Sequence, residues 1–445
     1  VTSPRPAAPV ASRRVLLVST YELGRQPLEV AEVAAALRRA GCEVRAVDLA
    51  VEPWDPAAAA WAEVVAASVP MHTAARLARQ VLGRVTDRPR AAFGLYARMC
   101  EGVAVPLVGH DAPRAVVAWV TGTDPGPSLP GLLRGEPPAR DLLPPPARYA
   151  RLLVDGEDRL AGSVAASWGC NHRCRHCPVP VVYDGRTRIN PVERVLADVA
   201  RQVDDGVRHV TFTDPDFLSG PHHAARVVAA LHDAFPQVTF DVTVKVSHIL
   251  AHRDRWPGFA RAGCLFVVSA FESTNDRILH LLDKGHGAAD LPAAVAVLRD
   301  AGITVRPSWL PFTPWSEHRD VTGILEATAA MGLVADTDPV QYTIRLLLPR
   351  NSLLLGHVPD PGPWDDEALT YRWCSPLDPL QRRLAAIVEA HLEAPVGEVH
   401  DRLRVACGLE PLGLDPRPGP RLSEAWFCCA EPTAAQQRAM QVGRR

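Results

Sequence analysis

Between Arg14 and about Gly122 the chain alternates short continuous apolar runs with stretches of helical spacing. Val15-Leu-Leu-Val18 reads as a strand buried on both faces, and Leu28 to Ala40 as a helix stopped by Gly41. Glu43 to Leu49 and Glu63 to Val69 read as further strands, and a helix starts near Thr73. Val103 to Val108 and Ala115 to Val120 are strand-like as well. Alternating strands and helices predict a doubly wound, Rossmann-like α/β domain over residues 1–125, with any ligand at the carboxyl ends of its strands. The proline-rich stretch that follows, residues 126–151, reads as a linker.

The alternation resumes from about Leu152. Apolar runs at Gly162–Trp168, His209–Thr213, Thr239–Val246, Leu265–Ala270, Thr304–Leu310 and Gln341–Leu348 are candidate strands. Helical spacing fills Pro191–Asp205, His222–Phe235, Asp276–Leu282, Leu291–Ala301 and Val321–Met331. This predicts six β/α units over residues 152–360. Residues 361–445 then read as a mainly helical, cysteine-containing region.

The chain has 445 residues, too many for one core. A formal net charge of −2 gives no electrostatic case for nucleic-acid binding. No apolar run approaches the ~20 residues that cross a bilayer, and the start, Val1 to Arg14, has no apolar signal core. Ten cysteines in a chain of this size are not a secreted disulfide scaffold. A reducing cytoplasm is expected. Of 48 basic side chains only two are lysines, Lys245 and Lys284.

Cys170, Cys174 and Cys177 stand in the spacing C-x3-C-x2-C, directly after the apolar run Leu160 to Trp168. Three thiolates suit an iron–sulfur cluster with one iron left free of protein ligands, open to a small molecule. The position, where a strand ends, is where parallel α/β barrels keep their chemistry. A redox C-x-x-C pair is another reading of Cys174 and Cys177. A zinc site with His172 or His176 as fourth ligand is a third. With zinc or a structural cluster there, and a thiol switch in the tail, the chain would be a metal- or redox-sensing binding protein.

The spacing resembles the radical S-adenosylmethionine superfamily. That resemblance implies a partial (β/α)6 TIM-type barrel and a [4Fe–4S] cluster held by Cys170, Cys174 and Cys177. It also implies S-adenosylmethionine chelated at the open iron and cleaved by one electron from a reductant such as flavodoxin or ferredoxin. His176 takes the place of an aromatic that usually precedes the third cysteine, and an imidazole there could still stack on adenine. Thr211-Phe-Thr-Asp-Pro-Asp-Phe217 resembles the segment that holds the cofactor's amino group, which points to Asp214 and Asp216; an Asx turn or helix cap is the plain alternative. Phe271-Glu-Ser273 resembles the family's G-x-E-S strand end with Ala270 for the glycine, placing Glu272 and Ser273 near the ribose or substrate. Here too a helix cap from Ser273 or Asn275 is an alternative. Arg306 and Arg345 could grip a carboxylate, or pair with buried acids.

The first domain resembles the cobalamin-binding domain of many members, although the D-x-H-x-x-G loop that supplies an axial histidine is absent; cobalamin is allowed, as is a fold that holds nothing. The ending Cys428-Cys-Ala-Glu-Pro432 resembles the CUAEP/CCAEP-tail members, some of which carry selenocysteine at the position of Cys429. That implies chemistry at Cys428 and Cys429, with transfer of a methyl or aminocarboxypropyl group to a soft element such as arsenic or selenium as one option. Radical functionalisation of an unidentified small molecule is the other.

Overall fold

The computed structural model describes residues 13–126, 131–133 and 135–424. Cys428 and Cys429 lie outside the described residues.

The first five strands, β1 (Arg14–Ser19), β2 (Glu43–Asp48), β3 (Val64–Ser68), β4 (Arg90–Phe93) and β5 (Val105–Leu107), form one parallel sheet in the order β2-β1-β3-β4-β5. Helices α1 (Leu28–Arg39), α2 (Pro56–Trp61), α3 (His72–Arg84) and α4 (Ala112–Thr121) cover its two faces. Gly41 ends α1 at φ +84°, and the Cys42 amide donates back to the Leu37 carbonyl over 3.0 Å, closing the helix terminus.

One expectation fails here, and one strand was not foreseen. The run Ala115–Val120 is not a strand but the body of α4. Asp111 caps it by accepting from the Arg114 amide, Pro113 sits in the first turn, and Gly122 stops it in the left-handed region. Those end signals outweigh a six-residue apolar run that strand and buried helix share. The strand β4 was not legible because its four residues, Arg-Ala-Ala-Phe, carry little apolar bulk.

The short strand β6 (Gly131–Leu132) precedes a hairpin, β7 (Arg151–Val154) and β8 (Glu157–Val164), that opens the second sheet. After β8 the chain turns off into β9 (Ser167–Gly169), which pairs antiparallel with β10 (Thr187–Ile189), and β10 also pairs with β6. The expected strand Gly162–Trp168 is therefore split at Ala165–Ala166. Helix α5 (Val179–Tyr183) lies between β9 and β10.

The second sheet continues through α6 (Val192–Asp204), β11 (His209–Phe212), α7 (Pro221–Ala234) and β12 (Thr239–Thr243). It goes on through α8 (Val246–Ala251), α9 (Trp256–Arg261), β13 (Cys264–Glu272), α10 (Asp276–Leu282), α11 (Asp290–Asp300) and β14 (Thr304–Trp309), with α12 (His318–Ala330) after it. The order is β14-β13-β12-β11-β8-β7-β17, where β17 (Arg421–Leu422) returns from the C-terminal region and pairs antiparallel with β7. Strands β8 and β11 to β14 run parallel, a curled partial barrel. Strand β12 ends at Thr243 rather than Val246, which already starts α8.

The expected sixth strand, Gln341–Leu348, is a 3-10 turn over Pro339–Thr343 followed by one parallel bridge, Phe312 to Arg345. Trp256, Trp309, Tyr342, Phe212, Phe240, Phe266, Phe271 and Phe312 are fully buried around this sheet. Beyond it lie the hairpin β15 (Trp364–Asp365) and β16 (Thr370–Tyr371) and helices α13 (Asp378–Ala390) and α14 (Val396–Ala406).

The carboxyl edge of the first sheet meets the barrel directly. Tyr21 and Leu23 after β1, and Met71 after β3, belong to the barrel's own apolar core. Leu95, after β4, packs against the cluster of Cys170, Val179 and Tyr183. Between the two units Arg140 is buried and bidentate to Asp198, with 2.8 Å from Nη2 to Oδ2. Among the described residues no helix is long and apolar enough to cross a membrane.

Candidate functional site

The three cysteines sit on the loop between β9 and α5. Gly169 enters that loop at φ +86°, and a Cβ there would stand 2.3 Å from the Arg186 carbonyl oxygen. Only glycine fits both the conformation and the space. Cys170 and Cys174 are buried and Cys177 is half-buried. Burial pushes the Cys170 thiol up, and the neighbouring Asp216 charge adds to this.

Each residue between the cysteines has its own anchor. The Asn171 amide donates to the Ser219 carbonyl at 2.6 Å, and Arg173 pairs with Asp184 at 2.7 Å. Arg175 bonds to the last turn of α10, its backbone amide to Leu282 O at 2.9 Å and its guanidinium to Leu281 O at 2.9 Å. His172 Nε2 lies 3.1 Å from His248 Nε2, while His248 Nδ1 is 2.6 Å from Asp216 Oδ2. His176 Nε2 is 3.1 Å from Glu272 Oε1. Five polar anchors hold a loop that has little apolar surface of its own.

Asp216 is fully buried. Burial alone would raise its carboxyl, but hydrogen bonds and charge from His172 and His248 bring it down to about 2. His172, Asp216 and His248 are the one group among the described residues whose ligand atoms all lie within 4.8 Å of one another. His248 turns Nδ1 to Asp216 and Nε2 to His172, and the trio also offers one ligand atom from each residue to a metal ion.

The cysteine trio is not so closely gathered. A tetrahedral zinc with 2.3 Å bonds would need its sulfurs roughly 3.8 Å apart. Among the described residues the three sulfurs do not all lie within 4.8 Å of one another, a wider spread that leaves room for the corners of a four-iron cluster.

Asp214 turns toward the chain that leads into the loop. Its carboxylate accepts from the Ala166 amide at 2.8 Å and from the Ser167 hydroxyl at 2.6 Å. Burial raises it to about 7 against these bonds. It holds the bend between β8 and β9.

Glu272 ends β13 with φ +65°, a conformation side-chain-bearing residues adopt at a cost of order 1 kcal/mol. Its Oε1 accepts from Lys284 Nζ at 3.0 Å as well as facing His176. Burial opposes its charge, but Lys284 and His176 hold it well below the usual carboxylate range. Ser273 is buried beside it and accepts from the Asn275 amide at 3.1 Å, and Asn275 caps α10.

Two expected residues are not brought to the cysteines. Arg306 pairs with Asp338 at 2.7 Å, and Arg345 pairs with Asp378 and stacks on Trp373, 3.5 Å from the ring centroid. Both guanidiniums are claimed by acids that the 3-10 turn and α13 bring close, which spacing along the chain does not reveal.

Sequence reasoning missed Lys245 and Lys284 as members of the site. Lys245 Nζ lies 3.6 Å from Cys174 Sγ, and the field of Cys174 and Cys177 acts on Lys284. The signal was present: in a chain whose basic residues are otherwise all arginine, both lysines fall here.

Residues 167–312 match the family model described as the radical SAM superfamily. The tRNA-2-methylthio-N(6)-dimethylallyladenosine synthase of Chloroherpeton thalassium is 24% identical over 230 residues, covering 48% of this chain and 49% of that protein. The hopanoid C-3 methylase of Methylococcus capsulatus is 22% identical over 343 residues, 68% of this chain and 64% of the relative. The chain thus spans about half the length of the first and under two thirds of the second. The solved structure of the cobalamin-dependent S-adenosylmethionine radical enzyme OxsB, with aqua-cobalamin and S-adenosylmethionine bound, superposes with a TM-score of 0.60 at 12% identity, covering 86% of this chain and 67% of OxsB. That likeness is one of fold. With the matched region spanning the cysteine loop and strands β9 to β14, the chain carries a radical SAM domain over residues 167–312.

Proposed function

We propose that this chain is an enzyme that cleaves S-adenosylmethionine reductively at a [4Fe–4S] cluster held by Cys170, Cys174 and Cys177, and uses the product to alkylate or otherwise functionalise a small molecule. The observation that carries the reading is the cysteine loop itself, three thiols on a glycine-gated turn at the strand-end rim of a parallel barrel. The cluster supplies a one-electron donor and an open iron for the sulfonium nucleotide. The chain's residues do the rest. Asn171, His172, Arg173, Arg175 and His176 fix the loop, Asp214 sets its approach, and Glu272 and Ser273 end β13 beside it, placed to meet the nucleoside or substrate.

Alkyl transfer is favoured over other radical outcomes by the methylase and methylthio-transferring names among the relatives. Transfer to a soft element held by Cys428 and Cys429 remains a separate proposal, resting on the tail sequence alone. Cobalamin, if bound, would be held at the carboxyl edge of the first sheet, beside Tyr21, Leu23 and Met71.

Anaerobic reconstitution with iron and sulfide, then S-adenosylmethionine and dithionite, tests the reading. 5′-Deoxyadenosine should form and be abolished in Cys174→Ala; unchanged cleavage in that variant rejects the cluster assignment. S-adenosylhomocysteine would mark methyl transfer and methylthioadenosine aminocarboxypropyl transfer. Cys429→Ala should spare cofactor cleavage while blocking the final product if the tail takes part.

A further inference from the structure

Lysine is nearly absent from this protein, yet both copies are buried at the cysteine loop. Lys245 is 8% exposed and Lys284 3%. Their environments differ. Lys284 Nζ is matched by the Glu272 carboxylate at 3.0 Å, so that pair adds little net charge. Lys245, on the turn from β12 into α8, has no carboxylate within ion-pair distance among the described residues. Its Nζ instead lies 3.6 Å from Cys174 Sγ, within hydrogen-bond reach of a sulfur. Its backbone amide is 3.5 Å from Asp216 Oδ1, and Asp216 also anchors His172 through His248, so the ammonium is carried by the same framework that fixes the loop.

A buried charge is expensive unless something compensates it. In the bare protein a neutral thiol compensates it poorly. A thiolate bound to iron compensates it well, and a cluster that has gained an electron does so better still. Reduction potentials of iron–sulfur clusters follow net charge and hydrogen bonds to their sulfurs. We infer that Lys245 is a positioning residue for cluster redox chemistry: its buried ammonium, donating to the sulfur of Cys174, stabilises the reduced cluster and raises its reduction potential.

This rests on the cluster assignment proposed above. The step concerned is addition of one electron from the reductant to the oxidised cluster, with no bond formed or broken. At this distance, in an interior of effective dielectric about 20, a unit charge changes an equilibrium by more than tenfold. Spreading the added electron over the cluster dilutes this, so about tenfold is the expected floor.

The test is an EPR-monitored redox titration of the reconstituted full chain against dithionite, with iron and sulfide content measured in parallel. In Lys245→Gln the midpoint should move negative by about 59 mV or more, the one-electron equivalent of tenfold. Lys245→Arg, which keeps the charge, should return it to within half that shift. A midpoint unmoved in Lys245→Gln at full iron content overturns the inference. So does loss of the cluster in both variants, because a role based on charge survives the arginine. Loss in Lys245→Gln alone, with Lys245→Arg loaded and near the parent potential, supports it. Failure of the unaltered chain to bind iron would instead overturn the proposed function, and the two failures are thereby distinguished.

Discussion

Replacing Glu272 by glutamine tests how the barrel rim is held together. The substitution keeps the shape and the backbone conformation but removes the charge that faces Lys284 Nζ at 3.0 Å and His176 Nε2 at 3.1 Å. Lys284 is 3% exposed, so its ammonium has no recourse to water once the carboxylate is gone. Removing one partner of a buried pair costs about 3–5 kcal/mol, mostly the penalty of the stranded charge. For a domain of this size each 1 kcal/mol lowers the midpoint by roughly 2–4 °C, so a fall of about 6–20 °C is expected. Urea unfolding of the apo-protein, followed by tryptophan fluorescence, measures the same loss as a lower midpoint at unchanged slope.

The pair also sets a pH dependence. Glu272 has a folded pKa depressed below its unfolded value, so its stabilisation is present above the unfolded carboxylate range and is lost as pH falls below it. Glu272→Gln should abolish that part of the acid sensitivity. The double variant Glu272→Gln/Lys284→Met leaves no buried charge and should recover most of the loss. A single variant within about 0.5 kcal/mol of the parent would refute the claim that this pair is buried and coupled.

Further expectations concern the loop and the two arginines set apart from it. Gly169→Ala meets the Arg186 carbonyl at 2.3 Å and should abolish iron loading while the circular dichroism of the barrel is retained; full loading would mean the loop is free to shift. Asp214 is raised to about 7 in the fold, so its contribution to stability is fully present below its unfolded pKa and lost as pH rises through 7. Asp214→Asn, which can still accept from Ala166 and bond Ser167, should flatten the stability profile between about pH 4 and 7; an unchanged slope would count against a buried acid there. Arg345→Ala removes the Asp378 pair and the stack on Trp373 and should loosen α13 by about 1–3 kcal/mol, seen as faster limited proteolysis beyond residue 372, with cofactor cleavage unchanged.

The chain by itself determined the chemistry of its centre and the alternation of its elements. Three cysteines at fixed spacing after an apolar run are a local pattern, as are the helices from Val192, Asp276 and Asp290, whose apolar spacing and end signals lie within a few residues of one another. The packed structure decided what is not local. It made Ala115–Val120 a helix, turned the end of the first barrel strand aside at Ala166 under the hold of Asp214, and left the sixth position a single bridge. It also gave Arg306 and Arg345 to Asp338 and Asp378 and brought Lys245 and Lys284 to the thiols. A spacing pattern reports which residues share a helix face or a strand. It does not report which charges will be stripped of water together, because that depends on contacts between residues 71 and 110 positions apart, and burial is what gives those charges their force.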